Sequence, residues 1–195
     1  MDDTGKPLGV ILAGGAGRRI GGGKPVVMLA GKPLLAHVIA RLAPQCAALA
    51  INANDPAGLD AHGLPIIADG AQGHQGPLSG VLAAMEWASA QGAKRVLTAP
   101  VDTPFLPPDL AARLIKARAP IALAATDDGV QGTCGIWDVG LLRALVQALA
   151  AGQRKVTDFA MAQGAVRVHF DTRDAFLNIN TPDDLAAAQA MLAPR

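Results

Sequence analysis

An α/β fold, with a mostly parallel sheet and helices on both faces, is predicted by three observations. Short, continuous apolar runs alternate with segments of helical period over the first two thirds of the chain. Hydrophobic residues make up 51% and aromatics only 3%, so the core must be built from Ala, Val, Leu and Ile packed between helices and sheet. The apolar runs end in Gly, Asn or Asp, at the strand ends where open α/β sheets bind ligands. At 195 residues the chain suits one domain, residues 1–195, and no repeat, low-complexity tract or linker divides it.

Leu8 to Ala13 reads as a buried parallel strand that delivers the chain into a glycine-rich loop. Pro33 then opens a helix in which Leu34, Leu35, Val38, Ile39 and Leu42 recur at helical spacing, ending near Pro44. Leu49 to Ile51 and Pro65 to Ala68 are the second and third strands, running into Asn52 and Asp69. Gly76-Pro77-Leu78-Ser79-Gly80 leads into a helix stopped by Gly92. Arg95 to Ala99 is a fourth strand, followed by Asp102 and by a helix begun at Pro107 to Leu110.

The last third is less regular. Strands are expected near Ile121 to Ala125, Thr133 to Trp137 and Val166 to Phe170, and helices around Val139 to Ala150 and Val156 to Gln163. Phe176 to Asn180 reads as a last strand running into Thr181, an N-cap, and Pro182, the first residue of a helix.

The loop after the first strand, Leu12 to Lys24, holds six glycines and three cations in thirteen positions. Glycines let peptide N–H groups close around phosphoryl oxygens, and Arg18, Arg19 and Lys24 supply charge-assisted hydrogen bonds. Spacing excludes two common phosphate loops. The dinucleotide fingerprint, started at Gly15 and Gly17, requires glycine where Ile20 stands. The P-loop requires glycine at Arg18, and Ser or Thr at Pro25.

Other classes recede on composition. A net charge of +1 argues against a nucleic-acid groove, and the absence of Tyr removes stacking platforms. Cys46 and Cys134 lack CxxC spacing and read as reduced thiols of a cytoplasmic protein. His37, His62, His74 and His169 are scattered, without metal-ligand spacing. No apolar run approaches the about 18 residues of a membrane span.

Asp102 is the sharpest of the polar strand ends, because it sits in a turn stiffened by Pro100 and Pro104. A single carboxylate facing a phosphate loop suffices for Mg²⁺, which otherwise takes substrate oxygens and water. Asn52 and Asp69 offer donors and acceptors for a ribose or a base edge.

These residues together resemble the molybdenum cofactor guanylyltransferases, MobA-type enzymes within the wider nucleotidyltransferases. The likeness covers nearly the whole chain. It rests on Leu12-Ala13-Gly14-Gly15 with Arg18-Arg19 and Lys24, Gly31-Lys32-Pro33-Leu34-Leu35, Asn52-Ala53-Asn54, Asp69, Gly76 to Gly80, Asp102-Thr103-Pro104, and Asn178-Ile179-Asn180-Thr181-Pro182. It implies the three-layer Rossmann-like nucleotidyltransferase fold, with Leu12, Ala13, Gly14, Gly15, Lys24, Asn52, Asp69 and Asp102 on GTP. Arg19, Lys24 and Asp102 would be the catalytic set, with Mg²⁺ on Asp102, and Asn178 and Asn180 would lie on the molybdopterin side. Family members carry Gly-Gly-x-Asp-Lys where this chain has the shorter Gly21-Gly22-Gly23-Lys24.

The implied reaction joins GMP from GTP to the terminal phosphate of molybdopterin or Mo-molybdopterin and releases pyrophosphate. That phosphate is largely ionised at neutral pH, so no general base is required. Contacts with molybdenum-insertion proteins and recipient molybdoenzymes follow from the same resemblance; nucleic acid and membrane are not expected partners. Two rivals are a cytidylyltransferase acting on the same pterin and an inactive nucleotide-binding accessory protein. Cytidylyl relatives begin the loop Leu-Ala-Ala-Gly, whereas this chain has Leu12-Ala13-Gly14-Gly15.

Overall fold

The computed structural model describes residues 5–14, 23–59, 62–70 and 76–193. In chain order these form β1 (Leu8–Leu12), β2 (Met28–Leu29), β3 (Lys32–Pro33), α1 (Leu34–Leu42), β4 (Ala48–Asn52), β5 (Ile66–Ile67), α2 (Pro77–Ala90) and β6 (Arg95–Pro100). There follow α3 (Leu110–Lys116), β7 (Ile121–Thr126), β8 (Gly129–Asp138), α4 (Leu142–Ala150), α5 (Val156–Ala162), β9 (Val166–His169) and α6 (Pro182–Leu192).

Seven strands make one sheet in the order β5-β4-β1-β6-β8-β7-β9. All neighbouring pairs are parallel except those of β8, which runs antiparallel to both β6 and β7. From β1 the chain crosses to β4 on one side, while β6 lies on the other. The order therefore reverses between β1 and β6, and the crevice beyond such a reversal is where open α/β sheets take their ligands.

Strand alternation sorts the core into two apolar layers. Ile11, Ile51, Leu97 and Ala122 face α1 and α3, against Leu35, Val38, Leu42, Leu110 and Leu114. Val10, Ala50, Val96 and Leu123 face the opposite way, against Leu78, Val81 and Met85 of α2, Leu145 and Leu149 of α4, and Phe159 of α5. This is the three-layer arrangement expected. A satellite cluster of Leu29, Leu34, Ile179 and Ala188 seats α6 beside the β2–β3 hairpin.

The elements match the expected ones apart from the unexpected β2–β3 hairpin, a β8 that begins at Gly129 rather than near Thr133, and three further differences. Pro33 is the cap of α1 rather than its first residue; it pairs across the hairpin with Met28, and its ψ of 148° is extended. The helix expected from Val139 opens as a 3-10 turn, Val139–Leu141, before α4. Phe176 to Asn180 forms no strand. Arg173–Phe176 is a 3-10 turn, and the backbone beyond it bonds elsewhere: Ile179 N–H donates to Asp102 C=O at 2.9 Å and Asn180 N–H to the Asp184 carboxylate at 2.9 Å. The segment thus docks on the Asp102 turn instead of joining the sheet.

At α6 the sequence signals hold. Thr181 and Asp184 form a reciprocal capping box, with Pro182 in the first turn. Hydrogen bonds from Asn180 N–H and from Thr181 hold the Asp184 carboxyl below its ordinary value.

Candidate active site

The ends of β1, β4, β5 and β6, with the first turn of α2, enclose a cleft of about 470 Å³. Leu12, Gly14, Lys24, Asn52, Asp69, Asp102 and Asn178 line it, so seven of the residues expected at the site converge there. Ala13 lies in an adjoining recess, buried, its N–H donating to Asn52 C=O at 2.8 Å. Gly15, Arg18 and Arg19 lie outside the described residues.

Lys24 and Asp102 meet directly. The ammonium is 2.6 Å from Asp102 Oδ2, and the two side chains are only 17% and 15% exposed. Lys24 also donates to Asn180 Oδ1. Of the two asparagines expected on the pterin side, Asn178 lines the cleft and Asn180 accepts from the Lys24 ammonium.

The Asp102 turn is fixed from both sides. Thr103 Oγ1 donates to Pro100 C=O at 2.9 Å, Val101 N–H to Leu12 C=O at 3.1 Å, and Ile179 N–H to Asp102 C=O. Within this rigid setting Asp102 Oδ1 is buried and accepts no hydrogen bond from the described residues. A buried carboxylate oxygen with unused lone pairs is costly unless a ligand completes it, and a hard cation is the partner that suits it. No group of three or more His, Cys, Asp or Glu side chains able to hold a metal exists among the described residues, so a cation here would depend on Asp102 and on oxygens brought by substrate.

Across the cleft, amides and a carboxylate interlock. Asn52 Nδ2 donates to Asp69 Oδ1 at 3.0 Å and to Ile67 C=O at 3.1 Å. Asn54 Nδ2 donates to Asp69 Oδ2 at 3.1 Å, while Asp69 N–H donates to Asn54 Oδ1 at 2.8 Å. Each Asp69 oxygen is oriented by one amide and keeps a lone pair for a ligand N–H or O–H. Asn54, part of the Asn52-Ala53-Asn54 motif without an assigned role, thus aims Asp69 together with Asn52.

The first turn of α2 closes the floor through Gly76, Pro77 and Gly80. Gly80 is required by close approach, since a Cβ there would lie 2.6 Å from Asn52 Oδ1 and 3.2 Å from Leu12 Cδ2. Pro100, Val101 and Thr133 complete the lining. Thr133 carried no sequence signal as a site residue, because it reads as one more position of a strand.

No histidine lines the cleft among the described residues. His37 is engaged with Leu29 C=O at 2.8 Å, and His169 sits at the surface near Asp127 and Asp171. Both cysteines are buried and unpaired, and burial pushes each thiol up to about 12, which disqualifies them as nucleophiles at neutral pH.

Comparison with known proteins decides the family. The model of the MobA-like NTP transferase domain matches residues 9–166. This chain belongs to that family. The MobA-like fold is shared with a molybdopterin-guanine dinucleotide biosynthesis protein A from Archaeoglobus fulgidus, with a TM-score of 0.74 at 24% identity over 94% of this chain and 97% of the other. It is shared too with a 4-diphosphocytidyl-2C-methyl-D-erythritol synthase from Anaerococcus prevotii, at 0.75 and 16% identity over 97% of each chain. Among curated relatives, a molybdenum cofactor guanylyltransferase of Cereibacter sphaeroides is 49% identical over 188 residues, 95% of this chain and 96% of the relative. No helix among the described residues of this MobA-like chain is long and apolar enough to cross a membrane.

Proposed function

We propose that this chain transfers GMP from GTP to the terminal phosphate of molybdopterin, with or without bound molybdenum, releasing pyrophosphate. Near full-length identity of 49% to a molybdenum cofactor guanylyltransferase supports the choice of nucleotide and acceptor. The observation that carries the chemistry is Asp102, a rigidly held carboxylate with one oxygen on Lys24 and the other buried without a partner among the described residues, at the mouth of the sheet reversal.

In the reaction, an acceptor phosphate oxygen forms a bond to the α-phosphorus of GTP as the α–β bridging P–O bond breaks. The acceptor is already ionised near neutral pH, its second pKa being about 6, so no side chain need remove a proton. This agrees with a cleft free of histidine among the described residues. What remains for the protein is positioning and charge neutralisation. Lys24 offers its ammonium to the phosphates, with Asn180 holding it in the cleft mouth. Arg19 is assigned to the triphosphate as well. Asp69, aimed by Asn52 and Asn54, accepts from the nucleoside.

Mg²⁺ belongs on Asp102 in this reading, because the unpartnered Oδ1 fits a cation that takes one carboxylate and several substrate oxygens. When bound it supplies charge neutralisation across the phosphates of both reactants. A cytoplasmic location, and transient contacts with molybdenum-insertion proteins and recipient molybdoenzymes, complete the proposal.

The test is pyrophosphate release with molybdopterin and Mg²⁺ across GTP, CTP, ATP and UTP. Turnover with GTP alone is expected. Preference for CTP would select the cytidylyltransferase, and no turnover with intact pterin would point to an accessory protein.

A further inference from the structure

We infer that Thr133 is the acceptor-side contact of the cleft, a hydrogen-bond donor to the phosphate monoester that attacks. The inference rests on the reaction proposed above and assigns it a residue that neither sequence pattern nor likeness marks.

The first observation is an irregularity in β8. Leu123 of β7 stands opposite Gly135, yet the next β7 residue, Ala124, stands opposite Gln131. Strand β8 therefore spends Gly132, Thr133 and Cys134 where β7 takes a single step. Bulges of this kind re-aim side chains and gather beside active sites. Here the extra chain divides cleanly. Cys134 is 1% exposed within the apolar layer under α1 and α3, and Thr133 lies at the cleft.

The bulge is built in at both ends. A Cβ on Gly135 would lie 2.5 Å from Leu123 Cδ2 and 2.8 Å from Ala122 C=O. One on Gly132 would lie 3.2 Å from Thr157 Cγ2 at the start of α5. Between them the Thr133 carbonyl accepts a hydrogen bond from Thr98 Oγ1 at 2.9 Å, and Thr98 Oγ1 accepts one from Trp137 Nε1 at 2.8 Å. Thr98 and Trp137 are both fully buried. A buried polar relay inside an apolar layer carries a desolvation cost, and what this one does is hold residue 133 in place.

The second observation is the order of strands. Asp69 follows β5, Asn52 ends β4, Gly14 follows β1, Asp102 follows β6, and Thr133 stands on β8, so the cleft residues are laid out in strand order. With neighbouring strands about 4.8 Å apart, Thr133 is one strand beyond Asp102, on the side away from the Asn52–Asp69 network. A nucleotide whose nucleoside meets Asp69 and whose phosphates meet Lys24 and Asp102 leaves the β8 side open. In-line displacement requires the attacking oxygen to arrive opposite the leaving pyrophosphate. Thr133, across Asp102 from the Asn52–Asp69 network, is the hydroxyl on that open side, where the attacking oxygen can arrive.

The experiment is steady-state kinetics with molybdopterin and Mg·GTP, each varied, on the wild-type chain, Thr133→Val and Thr133→Ser. Loss of one hydrogen bond to a charged phosphate is expected to raise the acceptor KM about tenfold in T133V, with the GTP KM within about twofold of wild type. T133S keeps the hydroxyl and is expected to stay near wild type. An unchanged acceptor KM in T133V, or acceptor and GTP KM rising together, overturns the assignment while the guanylyl reaction stands. A wild-type chain that transfers nothing to the pterin overturns the underlying reaction, and the assignment with it. Thr98→Val, which removes the relay and leaves the Thr133 hydroxyl, separates orientation from contact. A smaller rise in acceptor KM alone is expected, and a rise in GTP KM counts against the proposal.

Discussion

At the residue scale the site turns on one carboxylate whose two oxygens do different things. Asp102 Oδ2 is paired with Lys24, and Oδ1 is buried with nothing to accept among the described residues. Stability alone would favour satisfying both, so the arrangement reads as one kept for a ligand. Asp102→Ala should therefore leave the fold standing, since the turn is held by backbone bonds from Val101 and Ile179, while turnover falls by about a hundredfold to a thousandfold. Circular dichroism melts beside pyrophosphate-release rates check this. A variant that retains near-normal turnover at saturating Mg²⁺ would remove Asp102 from the chemistry. The role of Lys24 is legible in sequence only as a cation near phosphate. Its partners Asp102 and Asn180 are 78 and 156 positions away, a separation no local pattern encodes.

At the element scale the segment from Leu177 to α6 shows how local signals can be right about a helix and wrong about what precedes it. Thr181, Pro182 and Asp184 specify the helix start by cap chemistry that acts within a few residues, and the structure obeys them. The apolar Phe176, Leu177 and Ile179 look like a strand, but Ile179 N–H is claimed by Asp102 and Asn180 N–H by Asp184. The cap therefore does a second job, because Asp184 Oδ2 accepts from Asn180, the residue that holds Lys24. The Asp184 carboxyl is held below its ordinary value, chiefly by that Asn180 N–H and then by Thr181. A lowered folded-state value means the stabilisation is complete above the unfolded value of 3.8 and disappears as pH falls through the folded one. Asp184→Asn should lower the urea midpoint at pH 7, and the gap from wild type should close as the pH drops below 3.8. A gap independent of pH would show that the carboxylate's charge is not what stabilises the cap.

At the scale of the whole molecule, the parallel strands were legible because burial on both faces writes continuous apolar runs into β1, β4, β6 and β7. The β8 bulge was not, because it depends on how Gly132 and Gly135 meet α5 and β7. The same long-range packing bears on the one-domain expectation. A single apolar layer runs from Ile11 through Leu110 and Cys134 to Phe176, and both thiols sit within it, Cys46 near the start of β4 and Cys134 in β8. Burial raises both thiols to about 12 and shields them, so neither is a reactive thiolate at pH 8 while folded. Labelling by a thiol reagent must then await opening of that layer. If the chain unfolds as one unit, Cys46 and Cys134 become reactive together, at the urea concentration where the far-ultraviolet dichroism signal is lost. Cys46→Ser and Cys134→Ser, read singly, assign each rate. Labelling of Cys46 well before Cys134 would divide the chain into two cooperative units, with the β1–β4 half of the cleft able to open while the β8 half stays closed.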